Sequence, residues 1–437
     1  MGQHRTPDTG GGPGTAGRGA LDGVRIADFS RVLAGPYATM LLADLGADVV
    51  KIERPGTGDD TRAWRPPADR DGTSTYFLSV NRNKRSVTLD LASAAGRDRA
   101  RALVAGCDVV VENFRPGTME RLGLGHAGLS ARQPGLVYCS ISGFGSGAGA
   151  ALPGYDLLVQ AVGGLMSVTG EPDGEPVRTG VAVVDVVTGL HAALGILAAL
   201  RHRDATGQGQ RIEVSLLGSL LSAMVNQASG YAVAGVVPGR RGNAHPSIAP
   251  YETFLAADRP LAVAVGTDRQ FAALAGVVGE PGLAADARFR TNADRVAHRA
   301  ELRSLLAARL AAADADHWTD VLLAAGVPAG PVNTLDEAFA YAERLGLPGI
   351  VEIPPDPPGG APARQIACPI ALGATPARYR LPPPHLGQHT AEVLPGPPAS
   401  GVPASAVPAP GPPAPDAPVP GPPVPDPTPV THPQEPR

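Results

Sequence analysis

The sequence predicts an α/β fold, a doubly wound and mostly parallel sheet followed by a smaller α+β domain. Three observations carry this expectation. Short runs of β-branched residues alternate with helical stretches through the first half of the chain. A Gly/Pro/Arg-rich segment, VPGRRGNAHPSIAP, then breaks that texture, and a hairpin pattern followed by helices takes over beyond it.

From Leu21, GVRIADFS reads as a strand, GPYATMLLADLGA as a helix and DVVKIERP as a second strand. CDVVVENF and GLVYCSIS are further apolar runs of the kind that parallel strands buried on both faces display. Next, VAVV reads as a buried strand end, with Asp185 immediately before a helix that begins at Val186. The whole stretch Val181 to Leu200 approaches membrane-spanning length. An aspartate at the bilayer centre costs about 2.5–3.5 kcal/mol, however, and no second span follows, so a buried core helix is expected. TGQGQRIEVSL adds a strand, and LGSLLSAMVNQASGY a single apolar helix. Beyond the break, YETFLAA and PLAVAVG form a hairpin. DRQFAALAGVVG and a long stretch broken at its middle, AELRSLLAARLAAADADHWTDVLLAAG, are helices.

These elements divide the chain into a disordered tail over 1–20, a large α/β domain over 21–230 and a linker over 231–250. A small α+β domain follows over 251–332, then a segment over 333–394 that returns to the large domain. From 395 to 437 there are 18 prolines in 43 residues, a composition that cannot build a core.

The chain has 437 residues and a formal net charge of -4, which gives no basis for nucleic-acid binding. Lysine is confined to Lys51 and Lys84, a hint of a local need for positive charge. Three cysteines, Cys107, Cys139 and Cys368, lie far apart and fit a reducing compartment. Residues 1–20 lack an apolar stretch, so no secretory signal and a cytoplasmic location are expected. His126, His191 and His245 stand without spaced partners, so no metal site is expected.

Asp185 is the residue most in need of explanation, because burying an unpaired carboxylate is costly. Two readings stay open on spacing alone. It caps the helix that follows, or it is a nucleophile held ionised by that helix's amides. Arg54, Arg62, Arg65, Arg82, Arg85, Arg115 and Arg121 cluster in the first domain. Arg54 and Arg115 directly follow strands, where open parallel sheets bind their ligands. GFGSGAG, Gly143 to Gly149, fits G-x-G-x-x-A, but Pro153 and Gly154 intervene before any helix, so a loop is expected rather than a dinucleotide site.

Taken together, LDGVRIADFSRVLAGPYATMLLADLGADVVKIERPG, NRNKRSVTLDL, DVVVENFRPGTMERLG, PGYDLLVQAVGGLMSVTG, VAVVDVVTGLHAALGILAALRHRDATGQGQ and GNAHPSIAPY resemble the family III CoA-transferases of the formyl-CoA transferase and carnitine CoA-transferase type. The resemblance runs from about Leu21 to Leu394. It implies a homodimer of two interlocked ring-like chains, with acyl-CoA and a carboxylic acid as substrates and no permanently bound cofactor. It implies that Asp185 is the nucleophile that carries CoA as an aspartyl thioester. By position it implies CoA contacts at Val32, Leu33, Ala34, Arg54, Leu89, Asn113, Phe114, Arg115 and Arg121. Tyr155 and the Gly242–Asn243 loop are the corresponding substrate and lid candidates, although this loop lacks the glycine run of formyl-CoA transferases. The 2-methylacyl-CoA racemases share the fold and use a histidine in a G-H-D segment. Here that segment is Gly154-Tyr155-Asp156, and a tyrosine is a poor base at neutral pH. A CoA binder without catalysis is the third reading.

Overall fold

The computed structural model describes residues 19–394. The Pro-rich tail and residues 1–18 of the N-terminal tail lie outside the described residues. Gly19, placed in the tail by the sequence, belongs to the packed chain. A Cβ there would meet Leu45 O at 2.6 Å and Gly46 Cα at 2.7 Å.

Six strands form one parallel sheet: β1 Arg25–Asp28, β2 Asp48–Glu53, β3 Lys84–Thr88, β4 Val109–Glu112, β5 Val137–Ser142 and β6 Arg211–Ser215. Their order is β3-β2-β1-β4-β5-β6. Successive connections therefore run in opposite directions on either side of β1 and β4. The loops after those two strands diverge there and leave a crevice at their carboxyl ends.

Both faces of the sheet are covered, which explains the nearly continuous apolar strands. On one side Ile26, Val49, Val109 and Val137 pack with Ala38 and Leu42 of α1 (Ala34–Asp44) and with Ala192, Ile196 and Ala199 of the long helix Val183–Thr206. On the other, Val50, Val87, Val110 and Tyr138 pack with Leu103 and Val104. Helix α1 meets the long helix closely at Gly189, where a Cβ would lie 2.6 Å from Ala34 O.

Two local expectations are corrected. VAVV is not a strand end: Val183 and Val184 already belong to the long helix, whose N-cap is Ala182. Asp185 therefore sits within the first turn and caps nothing. The acceptor for the early amides is Asp156, far away in sequence, and this tertiary contact overrides the strand propensity of the valines. The apolar helix after β6 is two helices, Leu216–Ala223 and Val225–Ala234, separated at Met224 with Val225 at φ 34.

Beyond residue 250, β7 (Tyr251–Leu255) and β8 (Pro260–Ala264) form the hairpin, extended antiparallel by β9 (Ala329–Pro331). Helices Arg299–Leu310 and Ala315–Ala324 part where the sequence break was expected. Phe254, Leu261, Val263, Phe271, Leu306 and Leu322 belong to a core that shares no residue with the clusters of the large sheet. We propose the domain division at 231–250 and near 333 on that ground. A short antiparallel pair, β10 (Ile350–Ile353) and β11 (Ala363–Ile366), follows. The chain then covers the edge of the large sheet, with His389 N donating to Ser86 O of β3 at 2.9 Å and Asn83 N donating to Leu381 O at 2.8 Å.

Candidate active site

The crevice at the reversal point is a cleft of about 220 Å³ lined by the loops after β1, β4 and β5 and by the start of the long helix. Its first wall is built from Arg31 to Ala34. Val32 has φ 69, an outlier for a β-branched residue, and such strain persists only where the surroundings fix it. Three side chains do so. Lys51 Nζ donates to Ser30 O at 3.0 Å, Asn113 Oδ1 accepts from Arg31 N at 2.9 Å, and Asp59 Oδ1 accepts from Val32 N at 3.3 Å. Leu33 provides no side-chain cap for α1, which leaves the positive end of that helix at the cleft and suits an anionic ligand.

The two lysines of the chain are internal. Lys51 Nζ lies 2.8 Å from Asp59 and Lys84 Nζ 3.1 Å from Asp28, with all four side chains fully buried. Burial alone would raise the Asp59 carboxyl, but Lys51 and Thr61 hold it at about 2. Burial lowers Lys84 to about 8 despite Asp28. The lysines therefore brace the strand ends beneath the cleft.

The second wall carries Asn113, Phe114 and Arg115 after β4, and Gly143 to Leu152 after β5. That Gly-rich stretch is a loop, as expected, and it lines the cleft. Gly143 packs on Gly154 so tightly that a Cβ on either would come within 2.4 or 2.5 Å of the other's Cα. Tyr155, 64% exposed, and Asp156 close this side.

Asp185 projects into the cleft from the first turn of the long helix. Its carboxylate makes no hydrogen bond among the described residues, and Asp156 occupies the nearest helix amides. Asp156 Oδ2 accepts from Val184 N at 2.9 Å and from Asp185 N at 3.2 Å. The amides expected to hold Asp185 ionised are thus engaged elsewhere. Burial, reinforced by the negative charge of Asp156, pushes Asp185 up to about 7. Tyr76, packed in an apolar cluster with Leu33, Met40, Val80 and Val186, is pushed up to about 12 by burial and by Asp185.

A second, largely apolar chamber of about 260 Å³ opens beside the first, lined by Phe29, Ile52, Arg54, Leu89, Leu91 and Leu122. Arg31 and Phe114 border both chambers, the guanidinium lying 4.9 Å from the ring centroid. Asp60 holds Arg31 at 3.2 Å and Arg54 at 2.6 Å.

The structure therefore brings Val32, Leu33, Ala34, Asn113, Phe114, Arg115, Tyr155 and Asp185 to one cleft, and Arg54 and Leu89 to the chamber beside it. Arg121 lines neither and donates to Thr118 Oγ1 at 3.0 Å. The Gly242–Asn243 loop is also elsewhere: Gly242 N donates to Gly170 O at 2.9 Å and Asn243 Nδ2 to Thr253 Oγ1 at 2.9 Å. Arg31 and Asp60 were missed, because one arginine among many carries no signal. The position of Arg31 just after β1, one of the two strands that straddle the reversal point, was the available clue, whereas Asp60 lies in the short helix Asp60–Ala63 beyond β2. Among the described residues, no group of three or more His, Cys, Asp or Glu could hold a metal.

The profile of CoA-transferase family III matches residues 21–390. A succinate–glutarate CoA-transferase of Agrobacterium fabrum is 42% identical over 387 residues, covering 86% of this chain and 94% of its own. A human succinyl-CoA:glutarate CoA-transferase is 41% identical over 383 residues, covering 86% of this chain and 85% of its own. The crystal structure of a CaiB/BaiF family protein from Brucella suis superposes with a TM-score of 0.76 at 42% identity, covering 86% of this chain and 98% of that one. The chain is a CoA-transferase, with CoA thioesters as substrates, and it belongs to CoA-transferase family III.

Proposed function

We propose that this enzyme moves CoA from succinyl-CoA to a short dicarboxylic acid, with glutarate the first acceptor to test, through a covalent thioester on Asp185. The observation that carries the mechanism is the Asp185 carboxylate, free of hydrogen-bond donors and aimed into a cleft flanked by an apolar chamber. The donor and acceptor are supported by what the Agrobacterium and human relatives are named for.

In the first half-reaction the Asp185 carboxylate attacks the thioester carbonyl, giving a mixed anhydride and a CoA thiolate. The thiolate attacks the aspartyl carbonyl, the anhydride bond breaks and succinate leaves. The acceptor carboxylate then displaces the thiolate from the aspartyl thioester, forming a second anhydride. Thiolate attack on the acceptor's own carbonyl releases the new acyl-CoA and regenerates Asp185. Each step exchanges one acyl bond for another, so no ATP, metal or resident cofactor is invoked. Asp156 engages the amides at Val184 and Asp185, so the Gly143–Leu152 loop is the better source of oxyanion donors. Arg31, Arg54 and Arg115 are the cations for the CoA phosphates.

The racemase reading lacks its base, since Tyr155 stands in the histidine's place and no histidine lines the cleft among the described residues. Incubation with succinyl-CoA and no acceptor should add CoA, less water, to the peptide containing Asp185, and hydroxylamine should release the CoA as free thiol and leave a hydroxamate on Asp185. Transfer to glutarate should follow on addition of the acid. Alpha-hydrogen exchange in deuterated water without any acid, and no adduct, would refute the mechanism.

A homodimer fits the long helix, where Leu190, Leu194 and Leu197 remain 45%, 65% and 36% exposed at helical spacing. A folded, active monomer in light scattering at nanomolar concentration would refute it. The free, buried cysteines fit a cytoplasmic location, which cell fractionation would test.

A further inference from the structure

Behind the cleft, a fully buried amide side chain has no role in the transfer chemistry as described. Gln160 lies in the short helix Asp156–Val162, is 0% exposed and does not line the cleft. Its Nε2 donates to Asp156 Oδ1, and its Oε1 accepts from Thr179 N at 3.0 Å. Asp156 in turn uses its other oxygen, Oδ2, to accept from Val184 N and Asp185 N. A continuous chain of hydrogen bonds thus runs from the segment that leads into the long helix, through Gln160 and Asp156, to the backbone of Asp185 itself.

We propose that Gln160 is a positioning residue for CoA transfer: acting through Asp156, it fixes the first turn of the long helix so that the Asp185 carboxylate is held in place and kept next to a negative charge. The geometry supports this on three grounds. Rotation of the Asp156 carboxylate about its Cβ–Cγ bond would draw Oδ2 off the two helix amides, and Gln160 Nε2, bonded to Oδ1, is the side chain that restrains it. A buried glutamine must satisfy both its donor and its acceptor, and here both bonds go to the two segments that precede Asp185 in space and in sequence. Finally, the Asp185 carboxylate receives no hydrogen bond of its own, so its placement depends on its backbone, which is what Asp156 grips.

The arrangement also bears on charge. The titratable groups around Asp185 are Asp156 at the start of its neighbouring helix, Tyr76 from the helix Thr75–Ser79 and Tyr155 at the cleft mouth. Arg31, Asp60 and Arg115 lie across the cleft. His191, farther along the same helix, is bonded to Ser219 at 3.0 Å and does not line the cleft. Of the groups packed against Asp185, Asp156 is the one whose charge makes it more basic. A more basic carboxylate is a stronger nucleophile once deprotonated, at the cost of being protonated over a wider range of pH.

The inference rests on Asp185 being the residue that carries CoA, and the experiment separates the two. Covalent loading of wild-type Asp185 by succinyl-CoA tests that reading; loss of loading there refutes it whatever the variants do. Given a wild type that loads, Gln160→Leu should lower kcat at least tenfold while KM for succinyl-CoA stays within twofold. Amide exchange at Val184 and Asp185 should accelerate at the same time. In a folded variant, unchanged kcat, or a KM that rises in step with the fall in kcat, overturns the proposal. Asp156→Asn, which keeps an oxygen acceptor and removes the charge, provides the second arm should Gln160→Leu fold poorly. The acid limb of its kcat/KM profile should move at least half a pH unit lower than in the wild type, and an unmoved limb overturns the proposal.

Discussion

Arg31 and Asn113 exchange two hydrogen bonds across the reversal point of the sheet: Arg31 N donates to Asn113 Oδ1 at 2.9 Å, and Asn113 Nδ2 donates to Arg31 O at 2.7 Å. The pair ties the loop after β1 to the loop after β4, and both loops line the cleft. Asn113→Leu removes both bonds and leaves two partly buried backbone groups without partners. The expected outcome is a loss of about 1–3 kcal/mol in urea unfolding. KM for acyl-CoA should rise about tenfold, since each 1.4 kcal/mol of lost binding is a factor of ten. A variant with unchanged KM would show that the two walls hold their spacing without this pair.

The pH dependence of the proposed reaction follows from Asp185. In that mechanism the ionised carboxylate is the attacking form, and burial together with Asp156 places its titration at about 7. Hence kcat/KM should rise with pH, reaching half its plateau near neutrality and falling about tenfold per unit on the acid side. A profile flat down to the ordinary carboxylate range would mean that the free enzyme keeps Asp185 charged by contacts absent from this structure.

The same group costs stability. Its folded pKa, about 7, exceeds the ordinary value of 3.8, so folding favours the protonated form. The contribution of the protonated group is complete below about pH 4 and is lost as pH rises through 7. Asp185→Asn cannot ionise and escapes that loss. It should be inactive, yet more stable than the wild type by on the order of 1–3 kcal/mol at pH 8, a figure discounted for partial solvent access. The difference should shrink steadily between pH 7 and pH 4 in thermal melts. Restored activity in this variant would remove Asp185 from the chemistry.

The parallel sheet, the hairpin at β7–β8 and the break between the helices Arg299–Leu310 and Ala315–Ala324 were all legible, because each is written in local periodicity and turn residues. Asp185 stood out because a carboxylate in an apolar run needs a reason. Its environment did not, since Asp156 reaches it across 29 residues. For the same reason the start of the long helix was misplaced: nothing in VAVVDVV signals that a distant carboxylate caps its amides. Arg31 and Asp60 were missed because their value comes from a tertiary contact, Asp60 meeting Arg31 and Arg54 from segments that follow different strands. The two lysines were noticed for their rarity, and only packing shows that they are buried beneath the site.

Lys51 offers the sharpest test of that buried brace. Its ammonium lies 2.8 Å from Asp59 and 3.0 Å from Ser30 O, and Asp59 also holds Val32 N in the strained loop. Lys51→Met keeps the volume but leaves Asp59 buried without its cation, a change that typically costs about 3–5 kcal/mol. In the wild type, Lys51 and Thr61 hold the Asp59 carboxyl at about 2, below the ordinary 3.8, so its stabilising contribution is present above about pH 4 and lost as pH falls through 2. The gap between wild type and Lys51→Met should therefore be widest near neutrality and narrow on acidification below pH 4. Adding Asp59→Asn to Lys51→Met removes the stranded charge and keeps an oxygen for the Val32 and Thr61 amides. The double variant should accordingly be more stable at pH 7 than Lys51→Met alone, a coupling of roughly 1 kcal/mol or more in a double-mutant cycle. Additive losses would mean that Lys51 acts through its packing and its bond to Ser30 O, with the ion pair contributing nothing to the wall of the cleft.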